Sequence, residues 1–204
     1  MKISTRDLGI HFNFQYLFKD LNLEFETGRS YAITGPNGVG KSTLIKLLSG
    51  FMAPTDGTVK YLLNNDEFPQ EKWYRYLSIC APYLDLIEDL TLTESFKYHF
   101  GLKLPFNDQS VQDIINELGL NSKKDIQLKY YSSGMKQRVK LALALYSDVP
   151  VVFLDEPTTN LDDKTKAWYL KTLEKVMKDR LFIIATNDTY DISLCKEKLD
   201  LAGA

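Results

Sequence analysis

The apolar positions change spacing twice along the chain. From Lys2 to about Leu63 they often alternate with polar ones: in "LNLEFE", Leu21, Leu23 and Phe25 would share one face of a strand, and "PTDG" supplies a turn ahead of "TVKYLL". This stretch reads as β-rich. Between about Tyr83 and Tyr146 the repeat becomes helical, and "NDQSVQDIINELGL" sets Val111, Ile114, Ile115 and Leu118 on one stripe behind an Asn/Asp cap. Two apolar runs, "VPVVFLD" and "LFIIATN", then flank the amphipathic "KTKAWYLKTLEKVMK". That predicts strand, helix, strand with both strands buried, as in a parallel sheet. The chain has no internal repeat and no low-complexity segment.

Composition narrows the picture. With 204 residues and 44% apolar side chains the chain can bury a substantial core. The charge balance of 25 basic against 27 acidic residues gives no global field that would favour nucleic acid or an anionic membrane, so no nucleic-acid partner is expected. Two cysteines, Cys80 and Cys195, are too few for a disulfide framework, and "MKISTRDLGI" lacks the apolar core of a signal peptide. A reduced, cytoplasmic protein is the expectation. No apolar run approaches the roughly 20 residues of a membrane-spanning helix, so membrane association would come through another protein.

The chemistry begins at "GPNGVGKST", Gly35 to Thr43, which fits G-x-x-x-x-G-K-[ST] between the strand "SYAIT" and a helical "STLIKLLSG". Glycines let successive backbone N–H groups face a phosphate. Lys41 places a point charge on the β/γ oxygens, and the Ser42 hydroxyl suits Mg²⁺. Further on, "VVFLDEP" ends a buried strand with Asp155 and Glu156 at its tip, where one carboxylate serves the metal side and a second polarises water. Between them "YYSSGMKQR", Tyr130 to Arg138, opens a helix with two hydroxyls and a glycine, a second and weaker anion cradle.

In the order and spacing of these pieces the chain resembles the nucleotide-binding subunits of the ATP-binding cassette (ABC) transporter family over essentially its whole length. "GPNGVGKST" matches Walker A, "YSSGMKQR" the signature, "VVFLDEP" Walker B and "TTNLD" the D-loop. The signature separates this family from kinases and GTPases, and no N-K-x-D motif occurs. The resemblance implies an α/β fold: a P-loop NTPase core with an N-terminal antiparallel β-subdomain and an inserted helical subdomain. One ABC domain over 1–204 would divide into β-subdomain plus ATPase core, about 1–82 and 147–204, and a helical and signature subdomain, about 83–146.

The same resemblance implies ATP and Mg²⁺ as ligands and a head-to-tail pair of cassettes, a homodimer or a pair with a paralogue. Asn37, Gly38, Val39, Gly40, Lys41, Ser42 and Thr43 would bind ATP in one chain. Ser132, Ser133, Gly134 and Met135 would meet the nucleotide of the other. Phe12 aligns with the aromatic that stacks on adenine, with Phe14 and Tyr16 as rivals. Asp155 would hold the metal, Glu156 would be the general base, and Asp162 would link the two sites. Two positions depart from the family: Tyr83 stands at the Q-loop glutamine, a metal-side position, and Asn187 stands at the switch histidine. An asparagine can donate a hydrogen bond to a γ-phosphate oxygen but cannot carry an imidazolium charge, so slow hydrolysis is expected. The implied function is the ATPase of a multi-span membrane permease, with "GMKQR" closest to bacterial export-type subunits. A non-transport ABC ATPase acting on nucleic acid or the ribosome is the alternative, although neither a coiled-coil insert nor a second cassette is present.

Overall fold

A computed structural model describes residues 1–64 and 66–203. It contains an antiparallel and a parallel sheet, each of five strands. The antiparallel sheet is built from β1 (Lys2–Phe12), β2 (Gln15–Leu21), β3 (Glu24–Glu26), β5 (Asp56–Leu63) and β6 (Asp66–Glu67), in the order β2-β1-β5-β6 with β3 also paired to β1. "LNLEFE" is therefore not one strand. The Thr5 hydroxyl enters the ladder there, donating to the Leu21 carbonyl at 2.8 Å and accepting from the Leu23 N–H at 2.9 Å. Asp20 adopts a left-handed conformation, φ 59°, and Leu23 is only half-buried between buried Leu21 and Phe25.

The parallel sheet runs β10-β4-β9-β8-β7, from β10 (Glu197–Asp200), β4 (Ser30–Thr34), β9 (Leu181–Ala185), β8 (Val151–Asp155) and β7 (Leu77–Cys80). Its central strands are buried on both faces, which explains their unbroken apolar runs. Val151, Phe153, Leu181 and Ile183 face one core with α1 (Lys41–Leu48) and the antiparallel sheet. Val152, Leu154, Phe182 and Ile184 face a second with α5 (Asp163–Val176).

The helical stretch holds α2 (Leu92–Leu102), α3 (Val111–Leu118) and α4 (Ser133–Leu145) around a third core that includes Leu92, Phe96, Ile114, Ile115, Leu118 and Val139. Thr91 and Glu94 cap α2 reciprocally. The cap of α3 is Ser110, whose hydroxyl accepts from the Asp113 N–H at 3.1 Å. Asn107 and Asp108, the expected cap, instead form a separate left-handed turn at φ 54° and 53°. A short α6 (Thr189–Ser193) follows β9. Because β4, β8 and β9 are parallel, their C-terminal tips share one edge. The Thr186 N–H donates to Ile33 O at 3.0 Å and the Glu156 N–H to Ala185 O at 2.8 Å, stitching the three tips together.

Candidate nucleotide site

The loop from β4 to α1 carries Gly35, Gly38 and Gly40 at positive φ, 138°, 85° and 111°. Gly40 precedes α1, and a Cβ there would lie 2.9 Å from atoms of Leu17 and Phe18, so both its conformation and its space require glycine. With no acidic residue in its first turn, α1 presents its free N–H groups to the loop. The Lys41 ammonium folds back and donates to the carbonyls of Gly35 and Pro36 at 2.9 and 3.2 Å. A cavity of about 370 Å³ opens here, lined by Leu17, Asn37, Gly38, Gly40, Lys41, Ser42, Thr43 and Glu156.

Of the expected loop residues only Val39 is missing from this lining; its side chain packs against the core. Leu17, which the sequence patterns passed over, joins the lining instead. Phe12 does not line the cavity either. It sits at the end of the β1–β2 hairpin opposite Gln15, and Phe12, Phe14 and Tyr16 are 50%, 99% and 52% exposed. All three keep ring surface free, although the Tyr16 hydroxyl is engaged by Asp56 at 2.8 Å.

Asp155, at the tip of β8, is fully buried, and neither carboxylate oxygen has a hydrogen-bond partner. Burial pushes its pKa up, opposed by Ser42, Lys46 and Lys41. A sealed carboxylate without donors is costly unless something positive completes it. Among the described residues no three His, Cys, Asp or Glu side chains cluster as a metal cage. Asp155 and the Ser42 hydroxyl therefore fit a Mg²⁺ that takes its other oxygens from phosphates and water. Glu156 follows at φ 49°, left-handed, with burial again raising its pKa while Lys41 opposes.

Asn187, just beyond β9, spans the loop: its Oδ1 accepts from the Gly35 N–H and its Nδ2 donates to Asn37 Oδ1, both at 3.4 Å. A neighbouring network was not legible from the motifs. The fully buried Asp191 accepts from Thr186 at 2.8 Å and Thr158 at 3.1 Å, tying the segment after Glu156 to the residue before Asn187.

The second anion cradle lies apart. Ser132 caps α4 and accepts from the Met135 N–H at 3.3 Å. Gly134 packs so close to Asn160 that a Cβ would lie 2.9 Å from the Asn160 carbonyl. Ser133 and Asn160 line a separate cavity of about 210 Å³, which shares only Glu156 with the first among the described residues. Asp162 is exposed and caps α5, accepting from the Thr165 N–H at 2.7 Å; the Thr165 hydroxyl and then this N–H hold its pKa down. At the position expected for the Q-loop glutamine, the Tyr83 hydroxyl is sealed without a partner, and the Lys46 ammonium sits 4.1 Å from the ring centroid.

Comparison with known proteins agrees with this layout. The family model described as "ABC transporter" matches residues 18–159. ABC transporter ATP-binding protein YtrE of Bacillus subtilis is 29% identical over 197 residues, covering 91% of this chain and 84% of that protein. ABC transporter A family member 7 of Dictyostelium discoideum is 30% identical over 187 residues, covering 90% of this chain but 22% of the relative. The chain thus spans about a fifth of that larger protein. A bacterial ABC transporter cassette solved as a dimer superposes with a TM-score of 0.79 at 21% identity, covering 98% of this chain and 94% of that one. The chain belongs to the ABC transporter family, as a nucleotide-binding cassette.

Proposed function

We propose that the chain binds ATP with Mg²⁺, hydrolyses it, and through ATP-dependent pairing of two cassettes powers a membrane transporter of the export type. The observation that carries this reading is Glu156 facing the same cavity as the phosphate-loop residues, next to a buried, partnerless Asp155.

Asn37 to Thr43 would wrap the phosphates, with Val39 contributing backbone only. Lys41 would exchange its loop carbonyls for β/γ oxygens, and one of Phe12, Phe14 and Tyr16 would stack on adenine. Ser42 and Asp155 would hold Mg²⁺, which when bound neutralises phosphate charge. Glu156 would take a proton from the attacking water, a role favoured by burial that raises its pKa. Asn187 would donate Nδ2–H to a γ-phosphate oxygen.

Residues about 83–146 would form the helical and signature subdomain. Its Ser132, Ser133, Gly134 and Met135 would meet the nucleotide of a second cassette, with Asp162 at the shared interface. Separation of the two cradles within one chain supports this division of labour. A multi-span permease would dock at the cleft of about 400 Å³ between β7, α2 and α4, lined by Leu77, Ile79, Ala81, Leu84 and Leu143 among others. No helix among the described residues is long and apolar enough to cross a membrane, so the cassette would sit at the cytoplasmic face through that permease.

The test is a Glu156→Gln protein sized by light scattering. We expect a dimer with ATP, a monomer with ADP, and no dimer once Ser132→Arg is added. A monomer under every nucleotide condition would overturn pairing of this cassette with itself.

A further inference from the structure

The Tyr83 ring is occupied. Lys46 lies one helical turn beyond Ser42 on α1, which puts the two on the same face of that helix. Its ammonium rests 4.1 Å from the Tyr83 centroid, and Phe51 flanks the ring at 5.8 Å. Lys46 takes part in none of the ion pairs of the described residues. The partly desolvated aromatic face is its seat, an arrangement that stabilises a cation by cation–π attraction. Helix α1 packs on β8, the strand that ends at Asp155.

We propose that Lys46, held on the Tyr83 ring one helical turn beyond Ser42, is a resident cation that raises the Mg²⁺ concentration this cassette needs to bind ATP. An ammonium on the same helix face as the Ser42 hydroxyl repels a divalent ion that this hydroxyl would hold. Tyr83 is on this account a positioning residue that acts through its ring, and its hydroxyl is dispensable. The inference rests on the nucleotide-site assignment made above.

The experiment is calorimetric titration of the β,γ-imido analogue of ATP at a series of Mg²⁺ concentrations, including none. Lys46→Met should lower the Mg²⁺ concentration for half-maximal binding about tenfold, the scale expected for removing one nearby unit charge. Lys46→Arg, which keeps the charge, should leave it unchanged. Tyr83→Leu, which removes the seat, should shift it in the same direction as Lys46→Met, and Tyr83→Phe should match the parent protein. Nucleotide-free melting curves identify any variant that fails to fold, and if Lys46→Met does, Lys46→Gln, which also removes the charge and should lower the Mg²⁺ requirement likewise, carries the test. An unchanged or increased Mg²⁺ requirement in Lys46→Met overturns the inference, as does a raised requirement in Tyr83→Phe, which would give the hydroxyl a direct metal role. Absence of analogue binding at every Mg²⁺ concentration would instead sink the nucleotide-site reading itself.

Discussion

Asp191 offers the sharpest test of how the site is held together. Its carboxylate is fully buried and accepts from Thr186 at 2.8 Å and from Thr158 at 3.1 Å, the Thr158 hydroxyl being shared with Asp188 at 3.2 Å, while its other oxygen and the Tyr169 hydroxyl are both sealed without partners. Asp191→Ala would leave the buried Thr186 hydroxyl without an acceptor, costing about 1–3 kcal/mol, while Thr158 could still donate to Asp188, and it would leave a small cavity; the relief of a desolvated carboxylate offsets part of this. A net loss of about 2 kcal/mol follows, which for a chain of this size is roughly 4–8 °C in Tm. Asp191→Asn keeps one acceptor for both threonines and should cost less than about 1 kcal/mol at neutral pH. The pH profile separates the two contributions. Burial raises the Asp191 pKa above its ordinary 3.8, so the folded protein holds this proton to higher pH than the unfolded chain does. The associated stability is present below 3.8 and lost as pH rises through the folded value. An asparagine cannot ionise, so Asp191→Asn should gain on the parent protein as pH rises from about 4 to 7. Urea unfolding across that range measures it. Equal losses for the two substitutions, or a constant gap between Asp191→Asn and the parent protein, would refute the account.

Three further outcomes follow from the site. Lys41→Ala should abolish measurable ATP binding with the melting temperature of the nucleotide-free protein little changed, as read by calorimetric titration and thermal melting. Gly40→Ala should cost several kcal/mol, because it combines a φ of 111° with approaches of 2.9 Å to Leu17 and Phe18; a wild-type melting curve would contradict the loop geometry. Asn187→His should raise hydrolysis at saturating ATP about tenfold with little change in affinity, since the existing amide donor already supplies part of a contact worth about 2.7–4 kcal/mol. An unchanged rate, alone and combined with Tyr83→Gln, would remove the switch argument.

What was legible in advance follows from which forces are local. The strands at β4, β8 and β9 are buried on both faces and so read as continuous apolar runs, and the loop glycines are dictated by backbone conformation within a few residues. By contrast, β10 is a largely exposed edge strand whose "EKLD" is mostly polar, and only its pairing with β4 makes it a strand. The break between β2 and β3 depends on Thr5, far from it in sequence. The placement of α4 owes much to Arg180, whose buried guanidinium donates to the carbonyls of Leu145, Ser147 and Val149 at 3.0, 2.9 and 2.8 Å. Burial of this cation pulls its pKa down to about 10. In a linear reading Arg180 is one more basic residue in a turn, because its partners lie more than thirty positions away.

The structure gives a local logic to each of the two residues expected to depart from the family pattern. Asn187 reaches the phosphate loop itself: it accepts from the Gly35 N–H and donates to Asn37, so its amide uses both hydrogen-bonding functions at once. A neutral imidazole offers one donor and one acceptor on opposite sides of a rigid ring and cannot reproduce that short bridge in the same orientation. Asn187 would therefore order the nucleotide-free loop, and a γ-phosphate would compete with Asn37 for its Nδ2–H. Tyr83 offers an aromatic face that seats Lys46. On the γ-phosphate side the amide that would meet the ligand already has partners within the chain, so binding must exchange protein contacts for ligand ones, whereas on the metal side Asp155 stands without a partner. The Asn187→His and Lys46→Met variants disconnect the two sides separately. The shift in Mg²⁺ requirement caused by Lys46→Met should be the same within about 0.5 kcal/mol with and without Asn187→His if the sides are independent, and a larger coupling would mean that the phosphate loop transmits one to the other.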